Sequence, residues 1–203
     1  PGKLIESASR LYGANMARLW GEIAAVPLER LRSLSGGERI VAAGRTLDVA
    51  YTPGHASHHV SYFDADSGVA MVGDVAGVRI EGGFVLPPTP PPDINLEVWP
   101  ESAARIRIWS PRTLFLTHFG PVDTPEPHWE TLFENLRMTS GWVGASLHEP
   151  GTDEEHAARF SLRLTEHMRR VLSPEEMAAY PVAAPFEHLW MGLARYHRKK
   201  ATR

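Results

Sequence analysis

The sequence predicts a layered mixture of helix and strand (α/β, in an α+β layering) followed by an all-helical extension. Three observations carry that prediction. Residues 39–72 hold short apolar runs set between Gly- and Asp-containing turns, the pattern of hairpins. Residues 95–109 return to helical spacing and lead directly into another strand-like run, which suggests stacked layers. Residues 125–203 carry apolar groups at helical intervals and no further strand.

Taken in order, residues 3–20 read as an amphipathic helix, with Leu4, Ile5, Ala8, Leu11, Tyr12, Met16, Leu19 and Trp20 on its stripe and an interruption near Gly13. Pro27 opens a second helical stretch, 28–34, which Ser35-Gly36-Gly37 ends. Strands are expected at 39–42 and 46–51 around Gly44, and at 60–63 and 69–72 around the polar turn 64–68, where Asp64 and Asp66 are expected to be solvated. Residues 75–95 form a long loop with five prolines and three glycines. Val78, Ile80, Phe84, Val85 and Leu86 make it too apolar for a solvated linker, so it is expected to pack over a site. A helix over 95–109 and a strand over 114–117 follow. Pro125 then fits a first helical position and Thr124 its cap, and Thr152–Glu155 and Ser173–Glu176 read as capping boxes. The predicted division is 1–124 for the layered part and 125–203 for the helical extension.

The 203 residues suffice for one well-buried core, and 43% apolar with 22% charged residues describes a folded globular chain. A net charge of −3 gives no electrostatic case for nucleic acid or anionic membranes. No segment has the ~20 apolar residues of a membrane span and no secretory signal is visible, so cytoplasmic is the default location. Cysteine is absent, which leaves His, Asp and Glu as the metal-binding side chains.

The chemistry lies at three strand ends. His55 follows Thr52-Pro53-Gly54. Asp74 follows Gly73 nineteen residues on, enough for a strand, a turn and a strand back to the same rim. His118 ends the later strand beside Phe119-Gly120. Imidazole and carboxylate groups converging this way suit Zn²⁺, and also Fe or Mn. His58 and His59 are candidates for orienting a neighbour. Arg79 could meet a substrate anion, with a surface salt bridge as its commoner fate.

Thr52-Pro53-Gly54-His55, Gly73-Asp74 and Thr117-His118-Phe119-Gly120 together resemble the metallo-β-lactamase-fold hydrolases, closest to the glyoxalase II-like and lactonase-like branch. The likeness covers about residues 38–122. It implies an αββα sandwich with two divalent metal ions, Zn foremost with Fe or Mn as alternatives, at one edge of the sheets. His55 would bind the first ion, Asp74 bridge both and His118 bind the second. A metal-bridging hydroxide would then cleave a thioester, lactone or related ester bond in a small-molecule substrate. The family's His-x-His-x-Asp-His motif is absent, and no His-x-His occurs anywhere. With Pro1 in place of Met, this predicts the C-terminal portion of a longer protein, incomplete as a catalyst on its own. The alternatives are a non-catalytic half-domain that binds a partner or a second copy as a homodimer, and an iron-dependent oxidative member of the same fold.

Overall fold

The computed structural model describes residues 2–202, apart from the side chains of Lys3, Leu4, Ser7 and Leu11; Leu4 and Leu11 of the predicted stripe thus lie outside the described side chains. The chain divides into two compact units, Pro1–Ser33 and Leu34–Arg203.

In the first unit, α1 (Gly2–Tyr12) and α2 (Met16–Trp20) are separated by a 3-10 turn at Gly13–Asn15, so the interruption falls where Gly13 predicts it. Tyr12 and Trp20 meet edge to face, 5.7 Å between ring centroids. The helix predicted over 28–34 reduces to a single 3-10 turn, Leu28–Arg30. Leu28 and Leu31 stay exposed, so no buried face supports the nucleation of a helix there.

The second unit is built on one six-stranded sheet in the order β1 (Arg39–Ala42), β2 (Arg45–Tyr51), β3 (Val60–Asp64), β4 (Val69–Gly73), β5 (Thr113–Leu116), β6 (Gly120–Val122). Neighbours pair antiparallel except β4 and β5, which run parallel. The β1–β2 turn is the two-residue Ala43-Gly44, both at positive φ, a geometry that matches the twist of the flanking strands. β6 is not visible in the sequence. It has three residues with Pro121 among them, and it lies at the sheet edge, where a missing N–H breaks no ladder. Asp64 is buried rather than solvated. It accepts from Ser67 Oγ and the Asp66 amide and pairs with Arg45; the bonds from Ser67, then from Arg45, hold its carboxyl below the usual range.

One face of the sheet, Ala70, Val72, Leu114 and Leu116, is buried under α3 (Trp99–Ile108) and α4 (Pro125–Ser146). Trp99, Ala103 and Ile106 from α3 and Trp129, Leu132 and Leu136 from α4 fill that layer. Thr124 is the cap of α4, but its side chain makes no cap bond. The third helical residue is Pro127, which has no N–H to offer its hydroxyl. α5 (Asp153–Met168) and α6 (Pro174–Ala183) each begin with the predicted capping box, complete in both directions. With α7 (Phe186–Ala201) they form a second apolar cluster.

The 75–95 segment is not structureless. Asp74–Ala76 is a 3-10 turn, and Val78 pairs with Leu86 across a β-bridge. Its apolar residues are shared out: Val75, Ala76 and Val85 join the core under the sheet, while Val78, Phe84, Leu86 and Ile94 join the α5–α7 cluster. Tyr180 on α6 holds it by donating to the Phe84 carbonyl at 2.8 Å and accepting from the Ile80 amide at 3.2 Å. Asn135 on α4 donates to the Val85 carbonyl at 2.7 Å. Among the described residues, no helix is long and apolar enough to cross a membrane.

Candidate metal centre

The sheet delivers His55, Asp74 and His118 to one rim. β2 ends at Tyr51 and the Thr52-Pro53-Gly54 turn releases His55. β4 runs parallel to β5, so Asp74 after Gly73 and His118 just beyond Leu116 emerge side by side. His55 Nε2 lies 3.5 Å from Asp74 Oδ2, and His118 Nε2 lies 3.6 Å from Asp74 Oδ1. One carboxylate therefore has an imidazole on each oxygen. All three side chains are partly exposed, so the centre is reachable from solvent.

These contacts are not hydrogen bonds, being longer than an N–H···O contact. His55 Nδ1 lies 2.8 Å from the Pro88 carbonyl. A carbonyl can only accept, so Nδ1 carries a proton, and in the neutral ring Nε2 then turns a lone pair toward the Asp74 carboxylate. Two electron-rich groups then face each other with nothing donated between them. Asp74 Oδ1 is itself buried and has no hydrogen-bond partner. A cation between these groups would resolve both problems. Ligand distances of about 2.0–2.2 Å at a tetrahedral angle place N and O roughly 3.4 Å apart, close to both observed gaps. Among the described residues no three or more His, Asp or Glu are arranged around one ion. The set instead places one imidazole nitrogen against each oxygen of Asp74.

The surrounding residues fix these groups. His59 Nδ1 meets Thr52 Oγ1 at 2.9 Å, and Thr52 Oγ1 meets Ser61 Oγ at 2.8 Å. Burial, then the neighbouring His55, push the His59 pKa down to about 4, so the ring is neutral. Its Nε2 edge fills the space beside Gly73, where an added Cβ would sit 2.4 Å away. Gly73 has φ +55, so the strand end preceding Asp74 demands glycine on both counts. His58 is exposed. The Arg79 guanidinium donates to the Gly82 and Gly83 carbonyls. Its backbone is what reaches the centre, bonding the His118 carbonyl at 2.8 Å and the Phe119 amide at 3.3 Å. Such backbone roles, like that of the Pro88 carbonyl, leave no residue-type signature in a sequence.

Comparison with known proteins bears on the fold and the family. The profile of the metallo-beta-lactamase superfamily matches residues 5–118. A metallo-beta-lactamase fold-containing protein of Sulfurisphaera tokodaii is 32% identical over 120 residues, 59% of this chain and 44% of its own length. Among solved structures, an archaeal superfamily protein from Sulfolobus tokodaii superposes with a TM-score of 0.55 at 30% identity, over 66% of this chain and 51% of its own. A family protein from Thermus thermophilus gives a TM-score of 0.62 at 20% identity, over 98% of this chain and 60% of its own. The chain thus spans about half the length of the relatives it matches. Fold and family profile lead to one conclusion: this chain belongs to the metallo-beta-lactamase superfamily.

Proposed function

We propose that this chain supplies one side of a two-ion hydrolytic centre, with Asp74 shared between the ions, His55 on one and His118 on the other. The observation that carries the reading is the pair of 3.5 and 3.6 Å gaps on opposite oxygens of a carboxylate whose Oδ1 lacks any partner. Superfamily membership supports a metallohydrolase-type function. Two divalent ions, Zn foremost with Fe or Mn as alternatives, would supply an activated water and Lewis-acid polarisation at neutral pH. The residues' own part is orientation. The Pro88 carbonyl keeps the proton on His55 Nδ1 and so keeps Nε2 free to ligate. The Arg79 backbone holds His118, and His59 fixes the strand end before Asp74. The proposed substrate is a small molecule with a thioester, lactone or related ester bond.

The test is metal content per chain, by plasma mass spectrometry, of protein purified without chelators and of His55→Ala/His118→Ala. Bound metal that disappears in the double variant supports the centre. Equal metal in both forms, or none in either after loading with Zn²⁺, sinks it.

A further inference from the structure

The turn bearing His55 and the turn bearing Asp74 leave β2 and β4, which β3 separates in the sheet, and a further element spans the two turns. α3 and the residues just before it touch both. The Asn95 amide donates to the Gly54 carbonyl at 2.8 Å, Ser102 Oγ donates to the Pro53 carbonyl, and an Arg105 guanidinium nitrogen donates to the Tyr51 carbonyl at 2.8 Å. These bonds fasten the 51–54 segment to the helix. From the same helix, Trp99 Nε1 donates to the Val75 carbonyl at 2.6 Å, one residue past Asp74. Trp99 is fully buried, and its ring stands edge to face with the His55 imidazole, centroids 6.3 Å apart. It presses on Gly54 so closely that a Cβ there would lie 2.7–2.9 Å from three Trp99 atoms. The indole therefore touches the backbone next to His55 on one side and next to Asp74 on the other.

We propose that Trp99 is a positioning residue of the metal centre and sets the His55–Asp74 separation; the inference rests on the two-ion reading above. His118 lies outside this brace, since the Arg79 backbone holds it. The two ion positions are thus tuned by different parts of the chain, and losing the indole donor disturbs the His55 side selectively.

Trp129 provides the control. It is equally buried in the same core, but its Nε1 has no hydrogen-bond partner. Trp99→Phe, Trp129→Phe and wild type, each the full chain, are titrated with Co²⁺ by visible absorbance, with urea midpoints recorded alongside. Amide exchange at Asn95 and the ¹⁵N shifts of the His55 ring are followed by NMR in metal-free protein. The expected result is a Co²⁺ affinity about tenfold lower in Trp99→Phe, the low end for partners outside the ligand shell, with an altered absorption envelope. Faster Asn95 exchange and a shifted His55 ring accompany it. Trp129→Phe stays within about twofold of wild type even where its urea midpoint falls as far. Ser102→Ala, a smaller change in the same brace, gives an intermediate loss and covers the case in which Trp99→Phe fails to fold. Equal effects from the two tryptophan variants would overturn the proposal and leave Trp99 as ordinary core. If wild type binds no Co²⁺, the two-ion reading fails, and the metal-free exchange and ring shifts still decide whether Trp99 holds the His55 turn.

Discussion

Asp74 Oδ1 is buried without a partner while its side chain faces two imidazole nitrogens. Such a group costs free energy in the metal-free chain, so its removal should show opposite signs in two conditions. Asp74→Asn, whose amide can donate to His55 Nε2, is expected to be as stable as wild type or up to about 1 kcal/mol more stable in chelator. It should gain none of the thermal stabilisation that Zn²⁺ gives wild type. Differential scanning fluorimetry with and without Zn²⁺ measures both. At Gly73, positive φ costs a non-glycine residue about 1–2 kcal/mol, and the collision with His59 adds to it. Gly73→Ala should therefore destabilise by more than about 2 kcal/mol. In a His59→Ala background only the backbone part should remain, a coupling that a double-mutant cycle in urea reads directly. Single residues were unevenly legible. His55, Asp74 and His118 stand out because strand ends flanked by glycine are recognisable locally. The fixing of His59 against Gly73 is not, because it depends on a packing contact between the residue before β3 and the end of β4. The burial of Asp64 is not legible either, since its partner Arg45 lies on another strand.

Elements were legible where local chemistry decides them. Hairpin turns and capping boxes need only neighbours in sequence, and β1 to β4, α5 and α6 fall where those signals put them. The 28–34 stretch and β6 depend on what lies beside them, and the sequence misstates both. The helical glycines make the same distinction experimentally. Gly141 on α4 is exposed and an added Cβ would meet nothing within 4 Å, so Gly141→Ala should stabilise by about 0.5–1 kcal/mol through helix propensity alone. Gly192 on α7 faces the Thr89–Pro91 backbone, with a Cβ only 1.9 Å from the Thr89 carbonyl oxygen. Backbone cannot swing aside as a side chain can, so Gly192→Ala should cost more than about 2 kcal/mol despite the better propensity. Urea midpoints of the two variants should move in opposite directions.

Across the molecule, several histidines are held neutral by burial. His128, whose Nε2 bonds the Ala76 carbonyl, has its pKa lowered mainly by desolvation, as do His167 and His188. A His with a depressed folded pKa binds its proton first in the unfolded chain. Its stabilising contribution is therefore complete above about 6.5 and is lost as the pH falls below that value. Metal-free protein should show a lower urea midpoint at pH 5.5 than at 7.5, and His128→Gln should flatten that slope. The long proline-rich segment has a consequence at this scale too. Its residues are divided between the core under the sheet and the α5–α7 cluster, with Gly192 seated on its backbone. Recombination cannot treat the C-terminal helices as a cassette. A chimera that takes them from a relative inherits a surface shaped to someone else's loop, and the crossover that works will lie upstream of Asp74 rather than at the start of α4.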